Sequence, residues 1–347
     1  MQSINKQHNR HPGVVTAAYI KNFRRKLLML ILPLGGILLV SVLAVTMGSY
    51  DVPIKSVFRA LTGNADAAAV VVIANIRLPR VVAAIVCGWG LSLSGLSLQS
   101  LLKNPLGSPS TLGISQGAAL GAAAAIVVFG TKTFSVTLFA FSGALAATII
   151  VLILSGLKRL SSEAVILAGV ALSSLFVSAT ILIQYLATET QLAMVVFWTF
   201  GDVARSSWRE IGLLTGTVSL ASIYLMWVRW DLNALASGEE AAKGLGVNVK
   251  RIRLIGTMVA ALVSAMATAF HGVIAFIGLL APHMARRLVG DDHRLLIPFS
   301  SVLGALLLLT ADNVGRIVIG SGALPVGVIT SFLGAPMFLY LLIRGYR

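Results

Sequence analysis

Three of the chain's five histidines fall within one short stretch, HGVIAFIGLLAPHMARRLVGDDHR, which also holds an adjacent pair of aspartates. Imidazole and carboxylate groups so close in sequence are candidate ligands for a metal ion. Metal-binding histidines on a helix, however, usually lie three or four residues apart. His271, His283 and His293 are separated by 12 and 10 residues, and the first is expected at the opposite membrane face from the other two. We therefore predict no metal site.

A second candidate for chemistry is the GxSxG pattern formed by Gly113, Ser115 and Gly117. A nucleophile elbow needs a strand, a turn and a helix, with a histidine and a carboxylate that converge on the serine. Here the surroundings are apolar, and Gly121 extends the pattern to a double GxxxG, which is typical of close helix packing in lipid. We predict a packing face and no catalytic residue; an intramembrane hydrolase built on Ser115 stays as a distant alternative.

The phosphate-binding pattern GxxxxGK[ST] does not occur in the sequence. Any ATP-driven function therefore requires a separate ATPase. We expect this chain to bind no cofactor, with ATP and Mg²⁺ held by such a partner.

Composition indicates a membrane protein. The 347 residues are 57% hydrophobic and only 11% charged, with a net charge of +15, whereas soluble domains carry about 25% charged residues. The positive charges lie in short clusters between long apolar runs, which is typical of loops in a multi-pass protein. Nucleic-acid binding is therefore not predicted.

The apolar runs must position these residues, and each is long enough to suggest a membrane span. We predict an all-α protein of ten transmembrane helices, with the His271-Gly272 pair as a tight turn and Pro282-His283 near the inner end of the eighth span. The predicted spans lie at 27–50, 81–102, 104–131, 133–157, 164–188, 211–228, 252–270, 273–289, 295–311 and 325–343.

Lysine and arginine are concentrated in every second connecting segment, beginning with the N-terminal one. These segments would all lie on one side of the membrane, which predicts cytoplasmic termini for the chain. Residues 1–26 are expected to form a cytoplasmic tail, and residues 27–347 a single transmembrane domain. A cytoplasmic loop at about 231–250 contains GEEAAKGLG, which predicts a short helix with acids in its first turn and a glycine cap. That helix is either a solvated connection or a docking element for a cytoplasmic partner.

Arginines at the predicted outer face are unexpected, because the distribution of charge otherwise favours the inside. Arg77 and Arg80 are the first and last residues of the RLPR motif before the second span. They serve either as interfacial anchors or as a site for carboxylates of an extracytoplasmic partner. Asp312 and Arg316 lie four residues apart, so Arg316 either pairs with Asp312 or joins the same outer cluster.

Taken together, these motifs closely resemble the permease subunits of ABC importers of the FecCD/BtuC type, which serve iron-siderophores, haem and cobalamin. The resemblance runs from about residue 30 to the C-terminus. It is carried by RLPR at 77–80, SGLSLQSLLKNPLGSPSTLGISQGAALG at 94–121, GEEAAKGLG at 238–246, the histidine-containing stretch at 271–294, and LPVGVITSFLGAPMFLYLLIR at 324–344.

The resemblance implies specific roles. A BtuC-like permease of ten helices works beside a second permease subunit, identical or paralogous, above two cytoplasmic ABC ATPase subunits. An extracytoplasmic substrate-binding protein delivers the substrate. Arg77, Arg80 and Arg316 match the docking arginines for that protein. Gly238, Glu239, Glu240, Ala241 and Gly244 match the coupling element, and Asn104, Leu106, Ser161 and Ser162 match the cytoplasmic gate.

The resemblance also implies transport by alternating access in a bacterial cytoplasmic membrane, along a path lined by the fifth and tenth helices. An iron-siderophore is the expected cargo, and haem or cobalamin is the alternative. An ion-driven secondary transporter is a distant alternative, because the spans contain few of the ionisable residues that such a protein needs.

Overall fold

The computed structural model describes residues 12–46, 59, 67–130, 133–158, 160–318 and 324–343. Across these residues the regular structure is entirely helical, which confirms the predicted all-α class. The N-terminal half contains α1 (Pro12–Met29), α2 (Ile31–Thr46), α3 (Ala67–Val72), a π-helical turn (Ile73–Arg77), α4 (Leu78–Leu102), α5 (Ile114–Phe129), α6 (Thr133–Gly156) and α7 (Ser162–Leu186).

The C-terminal half is helical in the same way. Its elements are α8 (Glu189–Thr199), a 3₁₀ turn (Val203–Arg205), α9 (Trp208–Trp227), α10 (Arg229–Ala236), α11 (Glu239–Gly244), α12 (Val249–His271), α13 (Ile277–Val289), α14 (His293–Val318) and α15 (Val326–Ile343). The starts of α8 and α9 follow from sequence, because Thr188 and Ser207 each form a capping box with the residue three positions on.

Helix α4 lies at the centre of the bundle, and most of its residues are buried. Small side chains allow its neighbours to approach: a Cβ on Gly88 would overlap the carbonyl of Gly304 in α14, and a Cβ on Gly95 would overlap the backbone of Gly278 in α13. Serine hydroxyls connect the same helices, since Ser94 Oγ donates to the Ala260 carbonyl of α12 at 2.7 Å. In lipid, close backbone packing of this kind stabilises helix association.

The predicted packing face on α5 is confirmed for two of its three glycines. Gly117 packs against Gly143 of α6, and Gly121 against the carbonyl of Phe139, so tightly that neither position has room for a Cβ. Gly113 has a different role, because it precedes α5 with a φ of +76°, a conformation that glycine adopts without strain.

The predicted span 104–131 is only partly helical, because α5 begins at Ile114. The preceding segment 103–113 folds back beside α4: Pro109 reaches Gly278, which in turn contacts Leu91 and Gly95. Gly95 and Leu91 lie before Leu102, the last residue of α4. At a helical rise of 1.5 Å per residue, they are roughly 10 and 16 Å from the end of that helix. Hydropathy did not reveal this loop, because its residues are as uncharged as those of a helix.

A second non-helical segment, residues 272–276, lies between α12 and α13. Helix α12 ends at His271, with Gly272 at a φ of +76°, so the predicted break is confirmed. The prediction of a tight turn is wrong, however, because α13 begins only at Ile277, after Phe276 in the left-handed conformation. Pro282-His283 does not mark the end of a helix either: both residues lie within α13, which continues to Val289.

The start of the second predicted span is also corrected. Instead of beginning at residue 81, the candidate span runs from Val70 to Leu102 without interruption. Arg77 and Arg80 therefore lie within this span, and Pro79 is the second residue of α4, directly after the π turn. Proline has no backbone N–H to donate to the preceding turn. The Trp208 indole donates to the Ala74 carbonyl at 3.1 Å and so satisfies an acceptor of the π turn.

The helices define two ends of the bundle. We call the end with Arg77, Arg80 and Arg316 the arginine end, and the end with α11 the coupling end.

Seven described helices are long and apolar enough to cross a membrane, and two further apolar helices, Ile114–Phe129 and Val326–Tyr340, are shorter. Ten crossings therefore stay a prediction. The predicted tail is helical from Pro12; residues 1–11, and 47–50 of the first predicted span, lie outside the described residues.

Candidate functional site

At the arginine end, a buried carboxylate joins α4 to α14. Asp312 is fully buried, and Arg80 donates to it through Nε at 2.9 Å and Nη2 at 2.8 Å. Arg316, one helical turn further along α14, lies with its Nε 3.4 Å from the second oxygen of Asp312. Both sequence alternatives for Arg316 therefore hold, because it pairs with Asp312 and also belongs to the arginine cluster.

The remaining arginine contacts bind the end of α2. Arg77 Nη1 donates to the carbonyls of Val45 and Thr46 at 2.6 and 3.1 Å, and Arg316 Nη1 donates to that of Ala44 at 2.9 Å. These carbonyls belong to the last turn of a helix, where backbone acceptors have no helical partner and the dipole is negative. The arginines thus cap α2 as well as neutralising Asp312.

Among the described residues, Arg80 and Arg316 share the Asp312 carboxylate and Arg77 binds backbone carbonyls, so positive charge is in excess in this arginine cluster. All three side chains are largely buried; Arg77 is only 6% exposed. Sequence reasoning placed the three arginines correctly in one cluster but did not predict their structural role. A partner carboxylate would meet groups that are already fixed in position by this chain.

At the coupling end, α11 forms as the sequence predicts. Gly238 precedes it at a φ of +130°, and Glu239 and Glu240 occupy its first turn, where negative charge favours the helix dipole. Lys243 pairs with both glutamates, at 3.5 and 2.9 Å. Ala241 and Gly244 are exposed, while Ala242 is buried against the bundle, so one face of this short helix is available to a partner.

A residue that sequence reasoning missed anchors this helix. Arg253 of α12 is 2% exposed, and its Nη2 lies 3.2 Å from Glu239 Oε2. The same guanidinium donates to the Leu101 carbonyl at the end of α4 and to the Leu160 carbonyl at 2.6 Å. Burial raises the pKa of Glu239, but the hydrogen bond and charge of Arg253, with the charge of Lys243, outweigh it and lower that pKa.

Arg253 brings the predicted gate residues close to the coupling helix. Leu101 lies three residues before Asn104, whose side-chain oxygen accepts from the Leu106 amide at 2.9 Å and fixes the turn. Leu160, at a φ of +56°, immediately precedes Ser161, which caps α7 by accepting from Ala164 N. Leu106 is 44% exposed, and Ser161 and Ser162 are half-buried. The four gate residues lie in the turn after α4 and at the start of α7, close in sequence to the two carbonyls that Arg253 holds.

A second polar network supports the same end. Asn233 Oδ1 accepts from the backbone N–H of His293 and lies 2.7 Å from its Nδ1, while His293 Nε2 lies 2.7 Å from Ser100 Oγ. Asn233 also donates to Asp292 at 3.1 Å. Burial raises the pKa of Asp292, but hydrogen bonds from Arg294 and Asn233 lower it to about 2. This network connects α10, α4 and the start of α14.

The histidines of the opening stretch are engaged separately. His271 is buried and lies 2.7 Å from Ser206 Oγ, whereas His293 belongs to the Asn233 network near the other end of α12. Across the described residues, no three His, Cys, Asp or Glu side chains lie together as metal ligands. Ser115 Oγ lies 3.5 Å from Ser110 Oγ, beside the start of α13, so its nearest hydroxyl partner is another serine.

Known proteins resemble this chain over most of its length. Residues 36–344 match the model of the FecCD transport family. The chain is 47% identical over 336 residues to an ABC transporter permease protein of Methanocaldococcus jannaschii, covering 93% of this chain and 96% of that protein. It is 36% identical over 317 residues to the hemin transport system permease HmuU of Yersinia pestis, covering 89% and 95%.

A solved structure shares the fold. It is described as an inward-facing conformation of a metal-chelate type ABC transporter, and it superposes with a TM-score of 0.83 at 30% identity, covering 91% of this chain and 99% of the other. These relatives are membrane subunits, and ATP hydrolysis belongs to separate ATPase subunits. The family match over most of the sequence and the shared fold lead to one conclusion: the chain belongs to the FecCD transport family of ABC transporter permeases.

Proposed function

We propose that this permease carries an iron-siderophore-type metal chelate into the cell by alternating access, with haem or cobalamin as the alternative cargo. The observation that carries the proposal is the position of α4. Arg80 near one end of this helix binds Asp312 in the arginine cluster, and Leu101 at the other end accepts from Arg253 beside the coupling helix. One buried helix thus connects the two places where partners would act.

The arginine cluster is the proposed docking site for an extracytoplasmic substrate-binding protein. Its excess positive charge would attract acidic side chains, and charge pairs of this kind mainly set the rate and register of association. Because Arg77, Arg80 and Arg316 also hold α2 and Asp312 in place, the docking surface is rigid before the partner arrives. The three arginines of this cluster would therefore recognise a partner without rearranging.

The coupling helix is the proposed contact with two cytoplasmic ABC ATPase subunits, which bind ATP and Mg²⁺. A displacement of α11 would move Glu239 relative to Arg253. Because Arg253 also holds the Leu101 and Leu160 carbonyls, that movement would reach the turns containing Asn104, Leu106, Ser161 and Ser162, the proposed cytoplasmic gate. ATP binding would in this way change the equilibrium between outward- and inward-facing states.

The proposed translocation path runs between this chain and a second permease subunit. Helices α7 and α15 present large apolar side chains outward, among them Leu167, Tyr185, Phe332 and Ile343. A second subunit covering these faces would complete a path with few charges, suited to a large chelate that passes without tight binding. The relative named for hemin and the metal-chelate neighbour support this class of cargo, and they do not separate iron-siderophores from haem or cobalamin.

We further propose ten membrane crossings, with both termini on the cytoplasmic side of a bacterial cytoplasmic membrane. Helices α5, α13 and α15, each shorter than the seven long ones, would complete the ten. Cysteine labelling of Ala241 on the coupling helix tests the orientation: a reagent that cannot cross the membrane should label it only after the cells are opened.

Reconstitution of the permease with its ATPase and binding protein tests the function. Liposomes containing the complex should accumulate a ferric siderophore only when ATP is present on the ATPase side. Haem and cobalamin, supplied with the same binding protein, identify the alternative cargo. Uptake that persists without ATP and collapses with an ion gradient would contradict the proposal.

A further inference from the structure

An apolar groove lies on the surface of the bundle, away from the arginine cluster and the coupling helix. It has a volume of about 500 Å³ and is formed by α2, α4, α9 and α14. Its lining is almost entirely carbon, from residues that include Leu34, Trp89, Met226, Ile297 and Val302. The flanking surfaces of α2 and α9 are strongly exposed and apolar; Leu32 and Trp227 are 77% and 78% exposed. In a membrane this groove would face lipid chains.

Cationic side chains surround the mouth of the groove at the coupling end. Arg229 lies three residues after Met226, and Arg294 three residues before Ile297, so each is one helical turn from the lining. Arg229 donates to the Met226 carbonyl, which fixes it at this edge. Lys26, two turns before Leu34, donates to the Val289 carbonyl at 2.7 Å and so lies beside the loop 290–292, which leads into Arg294 at the start of α14.

Aromatic side chains mark the level of the membrane interface at the same place. The guanidinium carbons of Arg229 and Arg294 lie 5.6 and 4.9 Å from the centroid of the Trp230 ring. Arg294 also lies 5.5 Å from the Phe23 ring. Tryptophan beside arginine is typical of the headgroup region of a bilayer, so the groove extends from that level toward the hydrocarbon.

The charge at the groove mouth is positive on balance. Asp292 pairs with Arg294 and Asp291 with Arg286, so each carboxylate offsets one positive charge, and Asp231 lies on the adjoining turn of α10. Against these, α1 contributes Lys26 and the exposed Arg24 and Arg25, and α10 contributes Arg229. A mouth with this excess charge and an apolar floor complements a molecule with an anionic head and a hydrocarbon tail.

We propose that the groove binds an anionic phospholipid, with one acyl chain between α2, α9 and α14 and its phosphate near Lys26 and Arg229. The arrangement is independent of the transported substrate. A bound lipid would join α1 and α2, which lie at the edge of the bundle with many exposed apolar side chains, to α9 and α14. The basic residues explain a preference for an anionic headgroup, and the apolar groove explains a requirement for an acyl chain.

Lipid retention by the purified full-length permease, alone or with its ATPase, tests this proposal. Native mass spectrometry from detergent containing equal amounts of dioleoylphosphatidylglycerol and dioleoylphosphatidylcholine should show preferential retention of one phosphatidylglycerol. The double variant Lys26→Ala/Arg229→Ala should reduce that preference by about 25-fold, since each cation near a surface contributes about five-fold. Arg251→Ala, which removes an exposed cation of α12 at the same end, is the matched control.

A second variant tests the groove itself. Ser222→Phe fills it from α9 without changing charge, and should abolish retention of both lipids. Equal retention of the two lipids would overturn the anionic preference. Unchanged retention in Ser222→Phe, displacement of the lipid by glycerol phosphate, or a polypeptide bound in its place would each overturn the acyl-chain site.

Discussion

Arg253 and Glu239 form a pair in which one partner is buried and the other half exposed. Arg253 Nη2 lies 3.2 Å from Glu239 Oε2, while the side chain of Arg253 is 2% exposed and that of Glu239 43%. The coupling helix is therefore attached to the bundle through a residue that no solvent-exposed partner can reach directly. A displacement of α11 therefore acts on the bundle through this contact and the packing of Ala242, as well as through the backbone that continues into α10 and α12.

Replacing Arg253 should be strongly destabilising. Arg253→Ala leaves the Leu101 and Leu160 carbonyls without their donor, and each unsatisfied buried group costs about 1–3 kcal/mol. We expect a loss of about 3 kcal/mol in the free energy of unfolding, measured by chemical denaturation in detergent. Arg251→Ala, two residues away and exposed, should change stability by less than about 0.5 kcal/mol; an equal effect of the two would contradict the role of Arg253.

Glu239 offers a separable test of coupling. Glu239→Gln keeps a hydrogen-bond acceptor for Arg253 but removes the charge of the pair, so the fold should persist. In the reconstituted complex we expect ATP hydrolysis to continue while uptake falls several-fold. Glu240→Gln, whose contact is with the exposed Lys243, is the control. Full uptake in Glu239→Gln would show that the contact does not transmit movement.

The Arg80–Asp312 pair should behave as a coupled unit. Arg80→Ala leaves a fully buried carboxylate with only the longer contact to Arg316, and breaking a buried pair costs about 3–5 kcal/mol. Arg80→Met combined with Asp312→Leu should be less destabilising than Arg80→Ala alone. Chemical denaturation of both variants measures the difference in the free energy of unfolding. If the double variant is at least as destabilised as Arg80→Ala, the unpaired carboxylate of Asp312 is not the cause of the loss.

Glycine contacts in the bundle give a further prediction with an internal control. A Cβ at Gly121 would overlap the carbonyl of Phe139, whereas one at Gly216 of α9 meets nothing within 4 Å. We expect Gly121→Ala to lower the free energy of unfolding by about 2 kcal/mol, because helix α5 must move away from α6. Gly216→Ala should be neutral or raise it by up to about 1 kcal/mol. Thermal unfolding of both proteins would detect the opposite signs.

The Asp292 network should make stability depend on acid pH. The folded pKa of Asp292 is about 2, below the ordinary value of 3.8, so its contribution is complete above about pH 4 and is lost as pH falls toward 2. We expect the stability of the wild-type chain to fall across that window more steeply than that of Asp292→Asn. Parallel slopes in denaturation measured at successive pH values would exclude a role for this carboxylate.

Several features of the fold could be predicted because they depend on local sequence. The break at His271-Gly272 and the short helix in GEEAAKGLG follow from glycine conformation and helix dipoles. The path of residues 103–113 could not be predicted, because a buried non-helical segment has the same uncharged composition as a span. Its position depends on Gly278, which lies about 170 residues further along the chain.

The candidate sites were predictable to different degrees. Motif resemblance located the arginine cluster and the coupling helix, but it gave no indication that Asp312 and Arg80, 232 residues apart, are bonded to each other. Arg253 looked like one more cytoplasmic cation at the start of a span. Only the packing of α4, α7 and α12 around it makes it the residue that joins the coupling helix to the gate turns.

The short helix α13 has a consequence for how the protein enters the membrane. Its 13 residues extend about 20 Å, less than the roughly 30 Å of hydrocarbon, and its last turn carries Arg286 and Arg287. In the proposed topology of ten crossings, the non-helical residues 272–276 would complete this one, although their backbone groups lie outside a helix and would be costly in lipid. In that topology the hairpin of α12 and α13 would need α4 already in place, because Gly278 at the start of α13 packs against Gly95 and would otherwise meet the bare bilayer.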